Sequence, residues 1–276
     1  MVVVMDDLTI IKGDNLVELK KMDDETFDLI YIDPPFNTGK KQRCTKRRMI
    51  CDDNGDRVGF GGKLYKTEKK STLAFDDSFN DYLGFLKERF IEAKRIMKSN
   101  GSFFVHMDYR EVHYAKVLLD EIFGRDSFMN EIIWSFDFGA RSRKKWSTKH
   151  NTILWYAKNP DNYTFNYNAI DRIPYMAPSL VGEEKAKIGK TPTTVWWCTI
   201  VPTNGKERNG YPTQKPLKIL ERIVKVHSNR GDKLLDFFSG SGSFGEAALK
   251  HDRYVVLIDK EKDAVDICKK RLSKYL

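Results

Sequence analysis

Residues 233–276, KLLDFFSGSGSFGEAALKHDRYVVLIDKEKDAVDICKKRLSKYL, parse as strand, glycine-rich turn, helix, strand, acid and helix. Apolar runs of strand length stand either side of a helical period, which is the signature of a βαβ unit and a parallel sheet. The same alternation appears at the other end of the chain. LTIIKGD (8–14) is a short β-type run, NLVELKKM (15–22) carries apolar residues at helical spacing, and FDLIYID (27–33) reads as a strand buried on both faces. YLGFLKERFIEAKRIM (82–97) is an amphipathic helix with Asn100-Gly101 as its stop, followed by the strand SFFVHMD (102–108) and the helix EVHYAKVLLDEIF (111–123). Strands alternating with helices at both ends predict an α/β fold with right-handed crossovers.

The middle differs. FMNEIIWSFDF (128–138) and HNTILWYAK (150–158) predict two strands paired with each other across the basic stretch RSRKKWSTK. From about 159 to 214 the period dissolves into proline, glycine and aromatic residues, as in an irregular lobe or long functional insertion. PLKILERIVKVHS (216–228) restores order as a helix opened by proline. Within 37–70, eleven Lys/Arg face four Asp/Glu, and MICDDNGDRVGF predicts a hairpin around Asn54-Gly55.

Composition sets bounds. The 276 residues are 41% hydrophobic and 12% aromatic, enough for a large core, and 48 Lys+Arg against 39 Asp+Glu leave a net charge of +9 that favours an anionic partner. MVVVMDDLTI is too short and too soon acidic to read as a signal peptide, and no apolar run approaches the ~20 residues of a membrane span, so the expected location is cytoplasmic, with no membrane partner. Four scattered cysteines without C-x-x-C or histidine spacing predict neither a disulfide framework nor a zinc site.

Ligands of an open parallel sheet bind outside the carboxyl ends of its strands. Asp14, Asp33, Asp108, Asp236 and Asp259 each follow a predicted strand, so their carboxylates are expected on one edge. The turn Asp236-Phe237-Phe238-Ser239-Gly240-Ser241-Gly242 lets the backbone approach a ligand closely, and Asp259, 17 residues past Gly242, is placed to accept hydrogen bonds from a ribose. Gly245 completes a dinucleotide-type spacing, so spacing alone leaves a nicotinamide enzyme open.

Asp33-Pro34-Pro35-Phe36 is more specific. Together with Phe238-Ser239-Gly240-Ser241-Gly242, it resembles the D-P-P-Y/F and F-x-G-x-G signatures of the S-adenosylmethionine-dependent DNA amino-methyltransferases. The order, with D-P-P-F early, the cofactor loop late and an irregular lobe between, resembles the β group of that family over essentially the whole chain, including Thr213-Gln214-Lys215-Pro216. The resemblance implies a Rossmann-like methyltransferase fold, with a mostly parallel seven-stranded sheet containing an antiparallel strand pair. It further implies a catalytic half at 1–158 that includes the basic loop 37–80, a target-recognition lobe at 159–214, and a cofactor-binding half at 215–276. S-adenosylmethionine would be the methyl donor and no metal would be needed. Asp14, Asp33, Lys215, Asp236, Phe238, Gly240, Ser241, Gly242 and Asp259 would form the cofactor site, with Lys215 on the methionine carboxylate and Asp259 on the ribose. Asp33, Pro34, Pro35 and Phe36 would carry catalysis. A leading Asp33 favours adenine N6, since cytosine-N4 relatives usually begin this motif with serine. Phe36 stands where tyrosine is commoner, and Ser243 where threonine is frequent.

Chemistry supports that implication. An exocyclic amino nitrogen shares its lone pair with the ring and attacks poorly until acceptors on its two hydrogens localise that pair. The Asp33 carboxylate and the Pro34 carbonyl are two such acceptors, and two prolines hold them in place. Phe36 would stack on a base drawn out of the duplex. Phosphate contacts are expected from Arg47, Arg48, Arg141, Arg143, Lys144 and Lys145, with bases read elsewhere in the central lobe. The expected partners are double-stranded DNA, a second copy of the chain and a restriction enzyme. The alternatives are a cytosine-N4, RNA or protein-amide acceptor, a nicotinamide dehydrogenase, and an inactive DNA-binding subunit.

Overall fold

The computed structural model describes residues 2–58, 62–75, 77–139, 141–202 and 204–275, with side-chain detail for these apart from residues 5, 43–49 and 69–75. Its strands are β1 (Val2–Met5), β2 (Leu8–Lys12), β3 (Phe27–Ile32), β4 (Gln42–Cys51), β5 (Arg57–Val58), β6 (Leu64–Phe75), β7 (Met97–Met107), β8 (Phe128–Ser135), β9 (His150–Ala157), β10 (Val195–Trp197), β11 (Lys233–Asp236) and β12 (Tyr254–Asp259). The helices are α1 (Asn15–Leu19), α2 (Tyr82–Ile96), α3 (Val112–Phe123), α4 (Glu183–Ile188), α5 (Leu217–His227), α6 (Ser243–Lys250) and α7 (Lys262–Leu272).

Nine strands form one sheet in the order β1-β2-β12-β11-β3-β7-β9-β8-β10. From β2 to β7 every neighbouring pair is parallel, and β9 runs antiparallel to both β7 and β8. The expected seven strands are therefore present, with two additions at the edges. β1 folds back antiparallel on β2, and β10 pairs parallel with β8. β3 is buried at every position, as a strand covered on both faces must be. One layer of side chains from α1, α2 and α3 packs on one face, and a second layer from α5, α6 and α7 covers the other. Burying each large aliphatic side chain contributes roughly 1.5–3 kcal/mol.

Three local expectations are corrected. Asn100-Gly101 does not stop α2, which ends at Ile96 and passes directly into β7. Gly101 instead sits where the register with β3 shifts, and a Cβ there would lie 2.5 Å from Met97 Cγ and 3.1 Å from the Asp28 carbonyl. Close backbone approach, not helix termination, accounts for that glycine. The helix read over 15–22 is the single turn α1. The hairpin around Asn54-Gly55 also differs. The turn forms, with Gly55 N–H donating to the Asp52 carbonyl, but the returning strand β5 pairs with β6 and not with β4. β6 is the central strand of a separate three-stranded antiparallel sheet, ordered β4-β6-β5. Asp56 Oδ1 accepts the Thr67 N–H at 3.1 Å, which draws the returning segment onto β6.

Candidate active site

Because β2, β12, β11, β3 and β7 are parallel, Asp236 and Asp259, which end their strands, and Asp14, Asp33 and Asp108, which follow theirs, stand on the same sheet edge. A cleft of about 340 Å³ opens there. It is lined by the D-P-P-F residues Asp33, Pro34, Pro35 and Phe36, and by Asp14, Lys215, Asp236, Phe238, Gly240, Ser241 and Asp259. Two loops about 200 positions apart in sequence meet because β3 and β11 are sheet neighbours.

The glycine turn is fixed by its own acids. Asp236 Oδ1 accepts the Phe238 N–H at 2.9 Å, and Asp259 accepts from Gly240 N–H and Glu261 N–H, each at 2.9 Å. Gly240 (φ 44°) and Gly242 (φ 71°) take left-handed backbone, which favours glycine. A Cβ on Gly240 would reach 3.0 Å from the Tyr211 ring. Gly242 is the one predicted cofactor residue that does not line the cleft. Its N–H donates to the Ser239 carbonyl, it caps α6, and its Cα faces Cys268, whose Sγ would lie 3.0 Å from an added Cβ. Gly245 packs within α6 against Leu257, with 2.7 Å left for a Cβ, so helix-to-strand packing accounts for it.

Asp33 is the centre of the other half. Its Oδ2 accepts from Lys215 Nζ, while its Oδ1 is buried with no hydrogen-bond partner. Burial raises the Asp33 carboxyl above the usual carboxylate range, and Lys215 pulls it partly back. Lys215 is itself buried, lies 5.3 Å above the Phe36 ring, and also donates to the Thr213 carbonyl at 3.2 Å, so its charge partner here is Asp33. Tyr82 donates from its hydroxyl to the Pro35 carbonyl, pinning the proline corner to α2.

Beneath Phe36 lies His106, stacked at 6.2 Å between ring centroids. Burial, then Lys215, lowers the His106 pKa well below its ordinary value, so the ring is neutral. The Asn151 amide nitrogen can only donate, so His106 Nε2 accepts it (3.1 Å) and Nδ1–H donates to the Tyr31 hydroxyl (2.9 Å). A hydrogen-bonded column thus runs from β3 through β7 to β9.

Several cleft residues carried no sequence signal. Arg89 projects from the middle of α2, donates from Nε to Asn15 Oδ1 (2.7 Å), lies 3.7 Å above the Phe85 ring and pairs with Asp14 at 3.7 Å. Asp77 accepts from Thr38 at 2.6 Å and Gln42 at 3.1 Å through Oδ2, leaving Oδ1 buried without a partner. Tyr211 comes from the irregular segment and Arg110 from the turn after β7, where it pairs with Asp108.

Of the predicted phosphate contacts, Arg141, Arg143, Lys144 and Lys145 are all exposed on the connection between β8 and β9. Arg47 and Arg48 fall in β4, and their side chains lie outside the described residues. Among the described residues no group of His, Cys, Asp and Glu is placed to hold a metal ion, and no helix is long and apolar enough to cross a membrane.

A mostly parallel sheet that joins a glycine turn to a proline-stiffened acid in one cleft defines a Rossmann-like methyltransferase. Residues 27–270 match the family described as DNA methylase, and the chain belongs to that family. It is similar to the Type II methyltransferase M.HpaI of Haemophilus parainfluenzae, with 30% identity over 267 residues, covering 97% of this chain and 74% of that one. It is also similar to the DNA adenine methyltransferase YhdJ of Escherichia coli, with 29% identity over 278 residues, covering 96% and 82%. Among solved structures, the PvuII DNA methyltransferase (cytosine-N4-specific) matches with a TM-score of 0.66 at 16% identity, covering 97% of this chain and 87% of that one. The M1.HpyAVI–SAM complex matches with a TM-score of 0.58 at 20% identity, covering 96% and 100%. The protein is an S-adenosylmethionine-dependent DNA methyltransferase.

Proposed function

We propose that the acceptor is N6 of an adenine swung out of double-stranded DNA, held by Asp33, Pro34 and Phe36. The observation that carries this reading is Asp33 Oδ1, a buried acceptor without a partner on the wall of the cleft. Leaving such an atom unpaired is unfavourable, and an amino hydrogen satisfies it. Adenine is further supported by the similarity to a protein named as an adenine methyltransferase.

The cleft fits the methyl donor. Its volume suits a small molecule, and the close approach of Gly240 to Tyr211 leaves no room for a side chain on that wall. Phe238, Gly240 and Ser241 would hold the methionine end, with Asp14 beside them. Asp259 would take the ribose, since each of its oxygens keeps a lone pair beyond the one committed to the turn. When bound, S-adenosylmethionine supplies a methyl group on a positively charged sulfur. Asp33 Oδ1 holds one amino hydrogen and the Pro34 carbonyl the other, which turns the nitrogen lone pair out of conjugation. Phe36, packed on His106, would present its other face to the base. The wider reading includes a homodimer, supported by the exposed apolar residues Leu83, Ile91, Tyr114 and Val117 on α2 and α3, and a restriction partner, supported by the similarity to a Type II methyltransferase.

Transfer from labelled S-adenosylmethionine to unmethylated genomic DNA, followed by nucleoside analysis, tests the proposal for wild type and Asp33→Ala. N6-methyladenine from wild type and a loss of at least about 100-fold in Asp33→Ala are expected. N4-methylcytosine would move the acceptor to cytosine, and an undiminished Asp33→Ala would remove Asp33 from the mechanism.

A further inference from the structure

Trp146 is 97% exposed. It belongs to a built turn, in which Ser142 Oγ accepts from the N–H groups of Lys144 and Lys145 (3.2 Å each) and Ser142 N–H donates to Ser147 Oγ (2.9 Å). Residues 141–149 hold five basic side chains and no acid. An indole left in water on a cationic tip is the composition of a surface completed by an aromatic, anionic partner, which nucleic acid is.

The topology places this tip. β9 is antiparallel to β7 with Thr152 opposite Met107, so the connection from β8 to β9 emerges at the sheet edge where Asp33 and Asp108 stand. Lys145 Nζ lies 5.8 Å above the Tyr109 ring, and the next residue, Arg110, lines the cleft. The aromatic tip therefore stands over the rim of the site.

We propose that Trp146 is the wedge of this enzyme, entering the duplex and stacking in the gap that the extruded base leaves. Extrusion strips two neighbouring bases of a stacking partner, and other DNA-distorting proteins show that an apolar side chain can enter between base steps. Arg143, Lys144 and Lys145 grip the phosphates beside the entry point. The inference rests on the proposed reading that the target base leaves the duplex.

The test uses the full chain and a duplex carrying a site mapped by sequencing methylated bases in treated genomic DNA. Single-turnover methylation is compared on the intact duplex and on one whose target faces an abasic position, where extrusion is already easy. Trp146→Ala should lose about tenfold or more on the intact duplex, Trp146→Phe should stay within about threefold of wild type, and all three should converge on the abasic-opposed duplex. Trp146→Ala that matches wild type on the intact duplex, or that is equally slow on both substrates, overturns the wedge. A 2-aminopurine at the target position reports extrusion separately. No fluorescence gain with wild type overturns the extrusion reading and the wedge together, whereas a wild-type gain reproduced in full by Trp146→Ala overturns the wedge alone.

Discussion

Lys215 and Asp33, 182 positions apart in sequence, form an ion pair whose side chains are only 8% and 17% exposed. The pair ties the segment ahead of α5 to the end of β3, and it sets the protonation of the residue at the centre of the cleft. Burial favours the neutral carboxylic acid, and Lys215 opposes it.

Lys215→Met should therefore raise the Asp33 pKa further. The acid limb of the single-turnover pH profile moves to higher pH, so activity falls most under mildly acidic conditions. A folded-state pKa above the unfolded value contributes stability at low pH that is lost as pH rises through the folded pKa. The Tm deficit of Lys215→Met should accordingly grow as pH rises. An acid limb that stays in place would detach Lys215 from Asp33 ionisation.

Phe36 bears on whether a ring without a hydroxyl suffices. Its face is held by His106 at 6.2 Å and Lys215 at 5.3 Å, contacts that use the ring and not a para substituent. Phe36→Tyr should keep kcat/KM within a few-fold of wild type, at about the level expected when stacking is retained. Phe36→Ala should lower it by about 10- to 100-fold, from roughly 1–3 kcal/mol of base stacking. Steady-state kinetics on a mapped duplex separates the two, and an inactive Phe36→Tyr would refute the stacking account.

Asp236 is almost fully buried, and burial, reinforced by Asp33 and Asp259, raises its pKa well above the ordinary value. Asparagine keeps an oxygen for the Phe238 N–H and cannot ionise. The raised acid contributes stability below its unfolded pKa and loses it as pH rises through the folded pKa, so Asp236→Asn should gain on wild type with rising pH. The gain should grow between the unfolded and the folded pKa and level off above the latter. Thermal melts across neutral and mildly alkaline pH measure it. A lower Tm at every pH would mean that the carboxylate braces the turn as an ion.

Arg143→Ala and Lys144→Ala test the phosphate reading. Each should weaken DNA binding at any sequence and reduce the slope of log Kd against log salt by about one. Affinity for S-adenosylmethionine should not change. Unaltered salt slopes would leave these cations without a phosphate.

The two halves of the cleft were legible because each is written locally. A buried strand ending in Asp33-Pro34-Pro35-Phe36, and a strand ending in Asp236 before a glycine turn, each state their geometry within a few residues. Arg89, Asp77, Tyr211 and Arg110 state nothing locally, because they reach the cleft from a helix face, a loop and an irregular segment only once the tertiary fold is made. Glycine was the least reliable guide. Asn100-Gly101 has the composition of a helix stop yet serves a strand irregularity, and Asn54-Gly55 marks a turn without revealing that β6 captures the strand that follows.

The column of Tyr31, His106 and Asn151 runs from the strand that delivers Asp33 to the second residue of β9, just past the basic turn. Phe36 rests on its middle member. The ring proposed to receive a base and the turn proposed to grip the backbone thus stand on one hydrogen-bonded strut, with a neutral imidazole as its keystone. The strut works as a ruler. On the proposed reading, the distance a base would travel from helix to cleft is built in when the protein folds, before any DNA arrives.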